Sequence, residues 1–329
     1  MPTFCHIVGM VTRGARDLPR PVFDSAQPAA MGFTRRDRIV ATGGLVLATF
    51  IFGANFVGGR QGALAGLSAS DLVTIRVAIS ALLFAPVLLT SSLKNLGGIG
   101  WLRGMTLTAL GGAPYFFVVV AGLQFAPANH AVVLSPGLTA ISGVALSRLI
   151  LGERPPRRAL IGMPPLLAGL VLVAGGGQWI AGSLTWIGDF LLAATGVAYG
   201  IFTVLLRRWR VAPVPATAAI CLLSAIIWLP GYAVLGNGAS LLSASIAEIA
   251  GQAILQGVLA GGLAVMLYTR AVAVLGSSRV AIFPVLVPAF GTLLAAAVLG
   301  EHLTATQWLG IAVVIGGMVL IVHRGPSAE

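Results

Sequence analysis

Ten apolar runs of roughly membrane-spanning length, joined by short polar segments, restrict this chain more than any other feature of its sequence. They lie at about 39–58, 71–90, 104–124, 128–150, 159–176, 186–206, 214–236, 250–270, 278–299 and 305–323. A helix needs about 20 apolar residues to cross the hydrocarbon core of a bilayer. The expected fold is therefore an all-α membrane protein with ten transmembrane helices. Composition supports lipid as the main solvent. Only 9% of the 329 residues are charged and 57% are hydrophobic, against about 25% charged in a soluble domain. Nine acids in the whole chain are too few to solvate a globule of this size.

A formal charge of +11 would suit nucleic acid if the basic residues formed one polar surface. They sit instead in short clusters between apolar runs, the pattern that sets membrane orientation. With the N-terminus inside, the inner segments hold Arg13, Arg16, Arg20, Arg35, Arg36 and Arg38, then Lys94 and Arg103, then Arg148, Arg154, Arg157 and Arg158. They also hold Arg207, Arg208 and Arg210, then Arg270, Arg279 and Arg324, which makes 18 of the 20 basic residues. Arg60 falls outside and Arg76 within a span. A multi-pass protein of the bacterial inner (plasma) membrane is expected, with both termini cytoplasmic. Residues 1–38 form a polar tail, rich in Pro and Arg, without an apolar run of signal-peptide length. Met31 opens MGFTRRDRIV directly before the first apolar run. Translation from Met31 is one expectation; a cytoplasmic tail is the other.

The chain also repeats itself. Shifted by 148 positions, residues 128–176 fall on 276–324 without a gap. Pro136 meets Pro284, Gly143 meets Gly291, Gly162 meets Gly310 and Gly169 meets Gly317. The triplet Leu151-Gly152-Glu153 meets Leu299-Gly300-Glu301. A unit of five helices is odd in number, so its second copy enters the membrane from the opposite side. The arginines agree: RPPRR follows the first triplet, whereas HLTATQ, with no basic residue but a histidine, follows the second. Two inverted five-helix repeats are the architecture of many secondary transporters, whose sites lie at the repeat interface near the midplane. The expected division is a first repeat at 39–176, a linker at 177–185, a second repeat at 186–323 and a C-terminal tail at 324–329.

The repeated segments carry a family resemblance. ANHAVVLSPGLTAISGVALSRLILGERPPRRALIGMPPLLAGLVLV resembles the end of an EamA domain of the drug/metabolite transporter superfamily. SSRVAIFPVLVPAFGTLLAAAVLGEHLTATQWLGIAVVIGGMVLIV resembles the same end of a second domain. The shared marks are a mid-helix Pro, Gly-Glu at the joint and a glycine-spaced last helix. FIFGANFVGGR with TIRVAIS, and GDFLLAATGVAYGIFTVLLRR, fit the starts of the two halves. The resemblance covers about 39–323. It implies a ten-helix carrier, often an exporter of amino acids, metabolites or drugs, and leaves the substrate open.

Candidate site residues follow from polarity within the spans. Pro136 and Pro284 remove a helix hydrogen bond and clash with the carbonyl four residues back. They are read as symmetric kinks near the middle of the fourth and ninth helices, either hinges or packing features. Glu153 and Glu301 are symmetric acids, read as structural joints with proton coupling as the alternative. Asn55, Tyr115, Gln124, His130, Ser135, Ser142, Tyr199, Thr203, Gln256, Tyr268 and Ser278 are polar residues within spans. Those singled out for a substrate cavity are Asn55, Arg76, Tyr115, His130, Ser135, Tyr199, Tyr268 and Ser278. Intramembrane polar groups face protein or water, although Ser and Thr also bond their own helix backbone. Arg76, near the outer end of the second helix, either snorkels to the interface or attracts a carboxylate. Glycine pairs, Gly316-Gly317 among them, are read as packing contacts.

Cys5 and Cys221 are far apart and the four histidines are scattered. No metal or other cofactor is expected. The expected partners are a small-molecule substrate and the bilayer, not nucleic acid, with a homodimer left open. A secondary carrier is the leading function. A membrane-embedded enzyme lacks the needed motifs, since neither HExxH nor GxSxG occurs. The single lysine stands in LKNL and not in a phosphate-binding loop, which excludes ATP-driven transport by this chain alone. A non-transporting scaffold would need no central polar groups.

Overall fold

The computed structural model describes residues 34–322, apart from short stretches at 90–92, 153–154, 156, 176–183, 212, 237, 276–279 and 281–282. The helices in chain order are α1 (Arg35–Leu64), α2 (Ala69–Leu89), α3 (Trp101–Phe125, interrupted at Gly112), α4 (Ala128–Leu151) and α5 (Arg157–Gly175). They continue with α6 (Thr185–Trp209), α7 (Pro213–Leu235), α8 (Ile246–Leu275), α9 (Phe283–Leu299) and α10 (Ala305–Val322). The described residues contain no strand. Helices α1–α8 are long and apolar enough to cross a membrane, whereas α9 and α10 are shorter apolar helices.

Several sequence boundaries shift. Arg35 to Arg38, assigned to the polar tail, already belong to α1, because Thr34 and Asp37 form a capping box ahead of the apolar run. The Thr34 N–H donates to the Asp37 carboxylate (2.9 Å) and the Asp37 N–H to the Thr34 hydroxyl (3.2 Å), satisfying donors that a helix start leaves open. Ser245 and Glu248 make the same box and start α8 earlier than its apolar run. Thr185, assigned to the linker, is the first residue of α6.

The prolines are not equivalent in backbone, contrary to the symmetric mid-helix kinks expected. Pro136 lies inside α4. Pro284 lies in a 3-10 turn, Phe283–Leu286, that leads into the α-helical Val287–Leu299. Pro288 supplies the reason: two prolines one turn apart withhold two backbone donors, and the tighter turn accommodates them.

The Leu-Gly-Glu joints have a local cause. Gly152 ends α4 at φ 70° and Gly300 ends α9 at φ 65°. This left-handed conformation strains any residue with a Cβ, which is why glycine closes both helices.

Packing runs mostly between the halves, and equivalent pairs occur together. α4 packs on α6 as α9 packs on α1; α3 packs on α6 as α8 packs on α1; α3 packs on α7 as α8 packs on α2. α5 packs on α10 and α2 on α7. A Cβ at Gly162 would stand 2.8 Å from the Gly317 carbonyl, and one at Gly169 2.7 Å from the Gly310 carbonyl. The partner's number falls as the residue number rises, so α5 and α10 run antiparallel. Trp228 bonds Thr74 and Tyr232 bonds Asp71, so α2 and α7 are antiparallel as well. An operation that lays α5 on α10 and α2 on α7 therefore reverses helix direction. Lipid removes the hydrophobic drive between helices, so close backbone approach through glycine takes over as a source of association. Large apolar side chains face outward instead: Leu102, Leu149, Val171, Phe190 and Val234 are all exposed.

Candidate substrate site and its flanking joints

Arg76 is a buried charged group of α2 that α1, α3 and α8 all contact. It lies about two turns into α2, yet is only 9% exposed. A snorkelling side chain would carry its guanidinium to the interface; this one is held inside. Its Nη1 donates to Asn55 Oδ1 of α1 (2.6 Å) and to Gln256 Oε1 of α8 (3.0 Å). The guanidinium carbon stands 3.6 Å over the centroid of the Phe116 ring on α3. Gln256 Nε2 in turn donates to the Asn55 carbonyl (3.4 Å). No carboxylate among the described residues pairs with Arg76; the ion pair found there is His130 with Asp189. Taking an ion out of water costs on the order of several kcal/mol in a protein interior. Two neutral amides and an aromatic face offset part of that cost and leave the charge uncompensated.

The position of Gln256 depends on an unusual stretch of helix. Ala253–Leu263 in α8 has π geometry, a wider turn with i→i+5 bonds. Gly257, Gly261 and Gly262 within it admit Ile79, Ser80 and Leu83 of α2 against the α8 backbone. The close α2–α8 approach puts Gln256 within reach of Arg76.

Tyrosines surround this cation. Tyr115 of α3 and Tyr199 of α6 have ring centroids 5.5 Å apart, and both lie within electrostatic reach of Arg76, as does Cys221 of α7. Tyr268 of α8 meets Phe52 of α1 edge-on at 6.5 Å. The aromatic pairs join α3 to α6 and α8 to α1, which are equivalent helix pairs of the two halves. Tyr199 keeps 37% of its surface open although Tyr115 and Phe202 stack against it. The Ser135 hydroxyl lies beside that of Tyr115 and 3.2 Å from Thr195 Oγ1. Asn55, Arg76, Tyr115, Ser135, Tyr199 and Tyr268 therefore occupy one region.

His130 does not belong to it. It is buried at the start of α4, with Nδ1 2.8 Å from Asp189 of α6 and Nε2 3.3 Å from Gln307 Nε2 of α10. A proton on Nδ1 faces the carboxylate and leaves Nε2 to accept from the glutamine. Close by, Glu301 accepts from the Ala128 N–H (2.7 Å) and the Asn129 N–H (3.0 Å), capping α4 with a charge that complements the helix dipole. Arg60 Nη1 donates to the Leu123 and Gln124 carbonyls at the end of α3 (2.7 and 3.2 Å). Thus an anion holds the start of α4 and a cation the end of α3. At the start of α2, Asp71 accepts from Tyr232 and Ser240. The contacts of Glu301, Asp189, Gln307, Tyr232 and Ser240 tie residues of the first half to residues of the second, whereas Arg60 joins two helices of the first. Ser278 and Glu153 lie outside the described residues.

Phe116, Asp189, Gln307 and Cys221 were not singled out as site residues from the sequence, and Gln256 only as one polar residue among several. Phe116 and Cys221 look like ordinary apolar positions, and the His130–Asp189 pair spans 59 residues.

Apolar helices of membrane-spanning length, arranged in two repeats, define a multi-pass membrane protein. Residues 41–175 and 186–323 each match the EamA-like transporter family, and the chain belongs to that family. No curated protein matches it. A solved crystal structure resembles it at 21% identity and a TM-score of 0.56, covering 83% of this chain and 97% of the other, a likeness of fold.

Proposed function

We propose that the protein is a secondary carrier that moves a small organic solute, an amino acid, metabolite or drug, by alternating access at the site around Arg76. The observation that carries this reading is a buried guanidinium, bonded by both halves of the chain and compensated by no described acid. Such a group is costly in a scaffold and useful in a binding site. In this reading all ten helices span the bilayer, and the second repeat is inverted relative to the first. The antiparallel pairing of α5 with α10 and of α2 with α7 supports it. Export from a bacterial cytoplasm, with both termini inside, is the direction and placement that the arginine distribution and the family favour. Asn55, Arg76, Tyr115, Ser135, Tyr199 and Tyr268 bind the solute, with Ser278 completing the set from the ninth segment. His130 and Glu301 hold the α3–α4 turn, and Glu153 plays the corresponding part at the other joint.

Pro136 and Pro284 act as hinges in this mechanism. Replacing Pro by Ala restores a backbone donor at both positions. At Pro136, inside α4, it favours straight helix by about 3 kcal/mol, and at Pro284 it frees the 3-10 turn to join the helix that follows. Pro136→Ala and Pro284→Ala are expected to slow turnover several-fold while changing solute affinity little. A single cysteine at Ser135, probed with an impermeant thiol reagent from each side, should react more from one face in one variant and from the opposite face in the other. Unchanged rate and labelling in two folded variants would make both prolines packing features.

A further inference from the structure

We infer that the Arg76 site takes an organic monocarboxylate with an aromatic or apolar body, and not an organic cation. The inference rests on the carrier reading above and narrows its substrate class. A guanidinium presents two edges to a planar acceptor: the end, Nη1 with Nη2, and the side, Nε with Nη2. Here Nη1 alone is engaged, by Asn55 and Gln256. Nε and Nη2 have no acceptor among the described residues, so the side edge is free. That edge is spaced for the two oxygens of one carboxylate, which it binds through parallel charged hydrogen bonds. Phe116 covers one face of the guanidinium, so a ligand approaches along the edge.

The rest of the site sets the remainder of the ligand. Beyond Asn55 and Gln256, the Phe116 ring that covers Arg76 stands 5.1 Å from the Tyr115 ring, which lies 5.5 Å from that of Tyr199, with Cys221 and Tyr268 nearby. Their bodies are apolar or aromatic, and none brings a negative charge. Asp71, the acid nearest along α2, is committed to Ser68, Tyr232 and Ser240. Asp189 is committed to His130 and Glu301 to the start of α4. An ammonium group would therefore meet a cation and no partner. A carboxylate supplies the missing counter-charge, and the rings receive an apolar or aromatic body.

Three probes of one shape test this on purified full-length protein: 3-phenylpropionate, its amide 3-phenylpropanamide and the amine 3-phenylpropylamine. Equilibrium binding should favour the carboxylate by at least about tenfold over either of the others. Arg76→Gln should erase that preference, bringing carboxylate and amide within about twofold. Arg76→Lys, which keeps the charge without the fork, should retain part of it. Should Arg76→Gln fail to fold, the wild-type comparison still decides. Amide or amine binding as tightly as the carboxylate, undiminished preference in Arg76→Gln, or no carboxylate binding would each overturn the inference. The carrier reading fails separately, if the protein moves no solute or moves it without saturation and counterflow.

Discussion

Gly317→Ala is expected to destabilise the protein severely, while Gly316→Ala, one residue away, leaves it intact or slightly firmer. A Cβ at Gly317 would stand 2.8 Å from the Leu166 backbone nitrogen and 2.9 Å from the Gly162 carbonyl. Both obstacles are backbone, so relief requires α5 and α10 to move apart. Overpacking of this kind costs about 1–3 kcal/mol and more where nothing yields. Separation would also loosen the opposite crossing at Gly169 and Gly310. A Cβ at Gly316 meets nothing within 4 Å, and Ala gains up to about 1 kcal/mol of helix propensity over Gly. Thermal unfolding in detergent separates the two. Equal midpoints for both variants would show that the α5–α10 contact does not hold the halves together.

The second large effect is expected at Glu301. Its carboxylate is the acceptor for two backbone donors at the start of α4, Ala128 and Asn129. Glu301→Ala leaves both donors without that acceptor in a part-buried joint, at a cost of roughly 1–3 kcal/mol each. The favourable interaction with the helix dipole, about 0.3–1 kcal/mol, is lost as well. Glu301→Gln keeps one neutral acceptor and should fall between Ala and wild type in unfolding midpoint. That order, Glu above Gln above Ala, is the expected result. Ala unfolding with Glu would mean that solvent or another group satisfies the start of α4 and that the joint contributes nothing.

The helices were legible because lipid imposes a length and an apolar content on each one. The runs at 128–150 and 186–206 became Ala128–Leu151 and Thr185–Trp209, within a few residues at each end. The family was legible as well, from the paired Gly-Glu joints and the glycine-spaced last helices. Boundaries slipped where capping and hydropathy disagree, as at Thr34 and Ser245, because a polar box extends a helix beyond its apolar run. The site was legible only as a set of polar residue types. Burial of Arg76 depends on Asn55 and Gln256 from other helices and on a π stretch that no local sequence rule announces. The His130–Asp189 pair likewise exists only after α4 and α6 pack. Symmetry was over-read at the prolines: Pro288 has no counterpart in α4, where position 140 is Ala, and the second site adopts a different turn.

Solute counterflow tests the carrier account most directly. Proteoliposomes loaded with an unlabelled solute are diluted into a trace of the same solute in labelled form, across a panel of amino acids, organic acids and amines. A carrier with one alternately exposed site exchanges bound molecules faster than it moves net solute. For at least one member of the panel, label should therefore accumulate transiently above equilibrium, saturate with concentration and vanish without internal solute. Flux that rises linearly with concentration and shows no such overshoot, or no protein-dependent flux for any solute, would contradict the account.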